Sequence, residues 1–216
     1  MTKYKLIKID KILFNDAYSL QKILQEKVLS NNEEQYILAL SHKNVITTGK
    51  RGFLDNLKYD NDFYRNKDID LVVTDRGGLA TFHGDGQLVM YFILNLLDLK
   101  LGVKNFVSKV ENAIIKTLSY FKINAKQIEG YRGVFVGNDK IAAVGMQVKH
   151  NVTSHGIALN ISTDLEMFDL FKPCGLTDKG VTSIKKEINK DISFDEVLSV
   201  LVENISTILG ENIERR

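Results

Sequence analysis

Four glycines fall within ten residues of the segment from Thr74 to Tyr91, and apolar runs flank them on both sides. Glycine can adopt backbone angles that are closed to other residues, and it lets the chain approach a ligand closely. Arg76, Thr81 and His83 lie beside and between these glycines, so polar side chains and exposed amide groups occur together. The pattern predicts a binding loop anchored by strands. A glycine-rich connection without a ligand is the alternative, because such connections are common.

The length and composition of the chain predict an ordinary globular protein. Its 216 residues are enough to bury well over half of the unfolded surface in one domain. A hydrophobic content of 44% and a charged content of 26% are typical of such domains. The net charge of +2 gives no strong field for nucleic acid. Neither a signal-peptide core nor a membrane-spanning apolar run is present, so we expect a cytoplasmic protein without a membrane partner.

Hydrophobic periodicity predicts strands and helices that are interspersed along the chain. Strands are predicted at residues 4–9, 36–40, 45–48, 69–74, 88–94, 133–136, 140–148 and 155–161. Helices are predicted from Asn15 or Asp16 to Val28, at 103–121, briefly at 165–171, and from the Ser193 capping box to Gly210. Turns are expected at 137–139 and 150–154, and a loop with one helical turn at 53–67. This order predicts an α/β (α+β) fold, in which residues 1–216 form a single domain with a mixed β-sheet flanked by helices.

Several familiar catalytic motifs are missing from the sequence. Gly49 and Lys50 resemble part of a phosphate-binding P-loop, but Asn44 stands in place of its first glycine and Arg51 in place of its Ser or Thr. There is no Gly-x-Ser-x-Gly elbow of a serine hydrolase. The histidines lack the helical pair spacing of zinc ligands, and one cysteine cannot anchor a zinc knuckle, so no metal is expected. A cysteine acyltransferase, a ligand-binding module and an adenylate-forming ligase without a P-loop remain.

Cys174 is the only cysteine of the chain, and it follows the only proline in a predicted loop. A lone cysteine is more often a small buried apolar residue than a nucleophile. A nearby cation or base would favour catalysis, because it lowers the thiol pKa and stabilises the attacking thiolate. Lys140, His83 and His155 are the candidates for that partner, although each is by itself an ordinary polar residue.

Two further histidines, His42 and His150, lie in polar segments that are typical of loops. We expect both of their side chains at the surface.

Residues 76–91 (Arg-Gly-Gly-Leu-Ala-Thr-Phe-His-Gly-Asp-Gly-Gln-Leu-Val-Met-Tyr) resemble the signature of the bacterial lipoyl(octanoyl) transferases, which belong to the biotin/lipoate protein ligase superfamily. The resemblance extends to residues 40–52, 137–145, 153–160 and 173–176, in the order and at the spacing of that family. It implies the fold of a biotin/lipoate protein ligase catalytic domain.

The sequence departs from the family pattern at two positions of the signature. Asp85 stands between two glycines where the family usually has proline, which would fix the loop. Phe82 replaces the usual tyrosine and lacks its hydroxyl group. The first change puts the rigidity of the loop in question.

The resemblance implies transfer of an octanoyl or lipoyl group, through a cysteine thioester, from acyl carrier protein to a lysine of a lipoyl domain. The acceptors would be the lipoyl domains of 2-oxoacid dehydrogenases and the H protein of the glycine cleavage system. Cys174 matches the residue that carries the acyl group, and Lys140 matches the residue thought to lower the thiol pKa and move protons. The positions that match the acyl-binding segments are Arg76, Gly77, Gly78, Leu79, Ala80, Thr81, Phe82, His83, Ala143, Val144, Gly145, Gly156, Ile157 and Ala158.

Two alternatives stay open beside this reading. One is an ATP-dependent lipoate or biotin ligase of the same superfamily, which would not need Cys174. The other is a noncatalytic protein that binds an acyl group or its carrier and in which Cys174 is inert. The transferase needs neither ATP nor a cofactor, because a thioester is already activated, and this agrees with the failed P-loop match.

Overall fold

The computed structural model describes residues 3–30, 34–49, 57–172, 179–210 and 213–215. The strands are β1 (Lys3–Ile12), β2 (Glu34–His42), β3 (Val45–Thr48), β4 (Asp70–Val73), β5 (Thr81–His83), β6 (Gln87–Ile93), β7 (Ala125–Lys126), β8 (Val134–Val136), β9 (Asp139–Lys149), β10 (Val152–Asn160) and β11 (Ile213–Arg215). The helices are α1 (Phe14–Leu29), α2 (Asn61–Asn66), α3 (Val103–Tyr120), α4 (Ile184–Ile188) and α5 (Phe194–Leu209), with a 3₁₀ helix at Leu165–Leu170.

Within the described residues, eight strands form one sheet in the order β11-β1-β2-β6-β10-β9-β8-β7. Strand β1 pairs in parallel with β2 and β11, whereas every other neighbouring pair in this sheet is antiparallel. A smaller sheet has the order β4-β3-β5 and combines one parallel with one antiparallel pair. The predicted mixed sheet is therefore confirmed.

The large sheet is covered by helices on both faces, which explains why its central strands are apolar at consecutive positions. In β2, Ile37 and Ala39 face the cluster that contains α3 and α5, whereas Leu38 and Leu40 face the cluster that contains α1. All residues of β6 are buried for the same reason. Neighbouring side chains of a strand point to opposite faces, so only a strand covered on both sides has this composition.

A third apolar cluster joins the small sheet to the 3₁₀ helix. Ile46, Tyr64 and Phe82 are its most deeply buried members beside Phe171, and each of the four is at most 1% exposed. This cluster anchors the glycine-rich segment, because its member Phe82 lies in β5 within that segment. No helix in the described part of the chain is long and apolar enough to cross a bilayer.

Helix α1 and strand β10 begin at other residues than predicted. Helix α1 begins at Phe14 after Leu13, without a side-chain cap, so Asn15 and Asp16 lie in the first turn and do not cap it. Strand β10 begins at Val152 and not at residue 155, because His150 and Asn151 both adopt left-handed backbone angles and close a tight hairpin. By contrast, Ser193 caps α5 as predicted, and Gly210 ends this helix in the left-handed conformation.

Several short elements were not predicted. Strands β5, β7 and β11 contain two or three residues each, and α4 contains five. Hydrophobic periodicity cannot identify elements as short as these. By contrast, the helical turn predicted within the loop at 53–67 is present as α2, which Asp60 caps by accepting from the N–H of Phe63. The sequence predicts that Asn31 and Asn32 interrupt the apolar pattern of α1, and both residues lie outside the described part of the chain.

Gly156 lets β10 lie unusually close to β6. A Cβ atom at this position would lie 2.0 Å from the carbonyl oxygen of Met90 and 3.1 Å from the Phe92 ring. Because the first of these atoms belongs to the backbone, the strands would have to separate to accept a side chain.

We predict that Gly156→Ser lowers the free energy of unfolding by about 3 kcal/mol, as overpacking against a backbone atom does. Gly102→Ser is the matched control, since a Cβ there meets nothing within 4 Å. Gly102 is the N-cap of α3, where serine is favourable, so its change should stay within about 0.5 kcal/mol. Urea unfolding of both variants measures the difference, and equal losses would contradict this account of the strand pair.

Candidate active site

A cavity of about 570 Å³ lies between the glycine-rich loop and strands β9 and β10. Most of the predicted site residues line it together: Arg76, Gly77, Gly78, Leu79, Ala80, Thr81, His83, Lys140, Ala143, Val144, Gly145, Gly156, Ile157 and Ala158. Phe82 does not line this cavity. Its ring packs in the third apolar cluster, 5.8 Å from the ring of Phe168 between centroids.

Glycines on the neighbouring strands make room for the loop that carries Arg76. A Cβ on Gly49 would lie 2.3 Å from the carbonyl oxygen of Gly78, and a Cβ on Gly145 would lie 3.0 Å from that of Gly77. Gly78 itself has a φ of +95°, which L-residues with a side chain rarely adopt. The backbone of the loop therefore rests directly on the backbones of its neighbours.

Arg76 fastens the same loop to β3. Its Nη2 donates to the carbonyl and to the hydroxyl oxygen of Thr47, both at 2.8 Å, and its Nη1 donates to Gly77 at 3.1 Å. Its Nε has no hydrogen-bond partner among the described atoms. Burial lowers the pKa of the guanidinium group to about 10, so Arg76 stays protonated at neutral pH. The residue places a fixed positive charge in the wall of the cavity.

A chain of buried hydrogen bonds fixes the protonation of His83. The amide nitrogen of Asn160 donates to the carbonyl of Thr182 at 3.0 Å, so its amide oxygen must accept from Gln87 Nε2 at 2.9 Å. Gln87 Nε2 also donates to the carbonyl of Phe82. The Gln87 oxygen, 2.8 Å from His83 Nδ1, is therefore an acceptor, and His83 Nδ1 must carry the hydrogen.

His83 therefore carries a hydrogen on Nδ1, and in the neutral imidazole Nε2 has a free lone pair. Burial keeps the pKa of His83 well below its ordinary value, and the neighbouring His42 lowers it further. Because His83 lines the cavity, this nitrogen is a hydrogen-bond acceptor in its wall.

The expectation that His42 lies at the surface is wrong. Strand β2 extends to this residue, which is fully buried and packs against the ring of Phe14. Its Nδ1 donates to the carbonyl of Ile12, so its Nε2 accepts from the hydroxyl of Tyr91 at 2.6 Å. Burial lowers its pKa to about 4. His150 is exposed, as predicted.

His155 lines the cavity and is paired with Asp75, the residue before Arg76. The two side chains meet at 2.9 Å between Nε2 and Oδ1, and the ring of Tyr18 stacks on the imidazole. His155 has a φ of +57°, and its N–H donates to the side chain of Gln21. Burial lowers the pKa of His155, whereas Asp75 opposes this effect. The pair ties the loop of Arg76 to β10 and α1.

Lys140 lies near the start of β9, and its backbone is held on both sides. Its N–H donates to Gly180 at 2.9 Å, and its carbonyl accepts from the N–H of Thr182 at 3.0 Å. Its Nζ lies 5.3 Å from the centroid of the Phe135 ring and has no ion-pair partner among the described residues. Burial lowers the pKa of Lys140 to about 8, against the opposing charge of Glu111. The side chain can thus gain and lose a proton close to neutral pH.

Cys174 lies outside the described residues. The residues on either side of the segment 173–178 are described, and some of them reach the cavity. Phe171 precedes this segment, and Lys179, Gly180 and Val181 follow it in the cavity wall. Lys140 pairs with Val181 in a parallel bridge.

The loop around Asp85 is held without the proline that is usual at this position. The carbonyl of Gly86 accepts from the N–H groups of Ile161 and Ser162 and from the hydroxyl of Thr163, at 2.9–3.1 Å. Asp85 itself pairs with Lys11 on β1 at 2.7 Å, at an exposed position. Exposed pairs contribute little, so the three hydrogen bonds to the carbonyl of Gly86 are what fix the loop.

Sequence reasoning missed several residues that build this site. Gln87, Asn160 and Asp75 orient its polar groups, and Phe14 and Tyr91 contribute to the cavity wall. Only one signal was available: Gln87 and Asn160 are polar residues at the ends of otherwise buried strands. Buried polar residues generally have hydrogen-bond partners, which the sequence does not identify.

The chain matches one family along most of its length. The family model described as the lipoyl protein ligase A/B catalytic domain matches residues 14–206. An octanoyltransferase of Dictyoglomus thermophilum is 43% identical over 207 residues, which cover 92% of this chain and 88% of that protein.

Solved structures of lipoate ligases have the same fold. A bi-partite lipoate protein ligase of Thermoplasma acidophilum aligns with a TM-score of 0.78 at 16% identity, over 100% of this chain and 87% of that one. Lipoate-protein ligase A bound with ATP aligns with a TM-score of 0.76 at 15% identity, over 99% and 87% of the two chains. The expected fold is thereby confirmed, and the chain belongs to the family of the lipoyl protein ligase A/B catalytic domain.

Proposed function

We propose that this protein is a cytoplasmic octanoyltransferase in which Cys174 carries the acyl group as a thioester and Lys140 moves the protons. Residues 1–216 would form one catalytic domain. The donor is the octanoyl thioester of acyl carrier protein, and the acceptors are lysines of lipoyl domains in 2-oxoacid dehydrogenases and in the glycine cleavage H protein. The observation that carries this proposal is a half-buried lysine of lowered pKa in the wall of the cavity, in a chain 43% identical to an octanoyltransferase.

The cavity suits an eight-carbon acyl chain. Small residues of β9 and β10, among them Ala143, Gly145 and Gly156, leave the space open, and Ile157 and Val144 make it apolar. Each methylene group removed from water contributes about 0.8 kcal/mol, so burying the acyl chain supplies several kcal/mol of binding. Arg76, Thr81 and His83 bring polar groups to the same wall.

One lysine, Lys140, carries the proton in both steps of the reaction. In the resting pair Cys174 is a thiolate and Lys140 an ammonium group. The thiolate attacks the carbonyl carbon of the donor thioester, the C–S bond to the carrier breaks, and the leaving thiolate takes the proton of Lys140. The amine of the acceptor lysine then attacks the Cys174 thioester and gives a proton to neutral Lys140 as the Cys174 thiolate leaves.

The energetics of these steps require no nucleotide. Exchange between two thioesters is close to isoenergetic, and conversion of a thioester to an amide is downhill. Lys140 with a pKa near 8 has both protonation states accessible at neutral pH, which such an alternation needs. An ordinary exposed lysine would remain protonated and could not accept a proton from the acceptor amine.

The acceptor class is supported by the relatives. The Thermoplasma structure belongs to a lipoylation system that includes the E2 lipoyl domain of that organism. The ligase that binds ATP has the same fold at 15% identity, so the fold does not distinguish the two activities. The source of activation must therefore be tested directly.

We predict that octanoyl-acyl carrier protein adds the mass of one octanoyl group to the wild-type protein and none to Cys174→Ala. Transfer to a lipoyl domain should fall at least about 10³-fold in the variant, because the covalent route is lost. Intact-mass spectrometry and a gel-shift assay measure the two effects.

Octanoate with ATP serves as the control donor and should give no product. Product from that mixture without carrier protein would support a ligase instead. Wild-type transfer by Cys174→Ala would contradict the covalent mechanism, and failure of the wild type to become acylated would favour a noncatalytic acyl-binding protein.

We predict that the pH dependence of the transfer step changes slope near pH 8. In single-turnover transfer from the acylated protein, the acceptor amine and Lys140 both react in their neutral forms. Below pH 8 both groups are mostly protonated, whereas above pH 8 only the acceptor amine is. The logarithm of the rate should rise with a slope of about two below pH 8 and about one above it.

Lys140→Met should keep a slope of about one throughout and lose about 10²- to 10⁴-fold in rate. Circular dichroism checks that the variant is folded. A break in slope near pH 8 that persists in Lys140→Met would show that another group carries the proton.

A further inference from the structure

Glu111 is a buried carboxylate on α3 that the proposed mechanism does not use. It is 8% exposed and lies on the apolar face of the helix, among residues of the main core. Carboxylates are almost never buried unless they are paired or hydrogen-bonded. Its Oε1 accepts from the N–H of Gly133 at 2.8 Å. This hydrogen bond joins α3 to the chain just before β8.

Gly133 lies between Glu111 and the side chain of Lys140. It has a φ of +112°, and a Cβ there would lie 3.4 Å from Lys140 Cε and 2.4 Å from the carbonyl oxygen of Ala142. Only glycine permits this conformation at such close range. The amide that binds the carboxylate thus belongs to the residue against which the lysine side chain packs.

The charges of the two groups act on one another. Burial raises the pKa of Glu111, whereas the N–H of Gly133 and the positive charges of Arg132 and Lys140 lower it. For Lys140, burial favours the neutral form and the charge of Glu111 favours the ammonium form.

Several other charged groups line the cavity that Lys140 borders. Arg76, Arg132 and Lys179 bring positive charge to its wall, and Asp169 brings negative charge. Asp139 precedes Lys140 in β9, but its Oδ1 accepts from the N–H of Gly180. The uncharged His83 also lines this cavity. Among the described residues, Glu111 is therefore the buried carboxylate whose charge acts on this lysine.

We infer that Glu111 is a positioning residue of the transfer reaction, which holds Gly133 against the Lys140 side chain and stabilises the ammonium form of that lysine. The inference rests on the proposed role of Lys140. Burial alone would shift the lysine toward its neutral form, and a neutral lysine cannot stabilise the Cys174 thiolate. A carboxylate behind it keeps the ammonium group populated while leaving its proton transferable.

The test measures the protonation of Lys140 without relying on activity. The full-length protein is labelled with ¹³C-lysine, the Lys140 Cε resonance is assigned by its loss in Lys140→Met, and its titration is followed by NMR. Glu111→Gln keeps an acceptor for Gly133 but removes the charge. It should move the titration of Lys140 to lower pH and increase the neutral fraction at pH 7 at least about twofold.

Glu203→Gln is the matched control, because it removes the same charge from an exposed position on α5. It should leave the titration of Lys140 in place. In Glu111→Gln, the change of slope in the pH–rate profile of single-turnover transfer should shift together with the Lys140 titration. In Glu203→Gln, it should occur at the wild-type pH. An unchanged Lys140 titration in folded Glu111→Gln would overturn the inference.

A second measurement uses wild-type protein and so remains decisive if Glu111→Gln does not fold. The carboxyl carbon of Glu111 should show a second inflection at the pH where Lys140 titrates, and Lys140→Met should abolish it. Absence of this inflection in the wild type overturns the inference. If the coupling is present but transfer does not require Lys140, the proposed function fails while the Glu111–Lys140 pair stands.

Discussion

One buried chain of hydrogen bonds holds the two walls of the cavity together. It starts at His83, passes through Gln87 and Asn160, and ends at the carbonyl of Thr182. The N–H of Thr182 in turn donates to the carbonyl of Lys140. Each side-chain amide in the chain has only one orientation that satisfies its neighbours, and a half-satisfied buried network is costly. The position of the glycine loop is therefore coupled to that of the lysine on the other wall.

Backbone-to-backbone contact is the second constraint, and it explains where glycine occurs around the site. Gly49 and Gly145 admit the loop of Arg76, Gly156 admits the neighbouring strand, and Gly133 admits the carbonyl group of Ala142. In each case a Cβ would lie within 3.5 Å of another atom. These close backbone contacts fix the loop and the strands that border the cavity. Polar side chains line the cavity at a few positions, which include Arg76, His83 and Lys140.

Elements with a long hydrophobic period were predictable from the sequence, whereas tertiary relations were not. The stripe of α3 and the apolar runs of β2 and β6 follow directly from burial on one or two faces. The burial of His42 depends on its contact with Phe14 at the start of α1, and no local sequence pattern indicates this contact. Glu111 did carry a signal, since it stands four residues after Val107 and three before Ile114, at an apolar position of the stripe. The roles of Cys174 and Lys140 came from family resemblance, because a lone cysteine and a lone lysine have no spacing to interpret.

The central claim is that Lys140 and Cys174 act as a pair at one end of the cavity. A crystal structure of the protein acylated with octanoate measures this directly. The account predicts that the octanoyl chain lies between the loop at 76–83 and strands β9 and β10, with Cys174 Sγ within about 3–4 Å of Lys140 Nζ. An acyl group attached elsewhere, or a Cys174 thioester in this cavity with Lys140 out of reach of its sulfur, would contradict it.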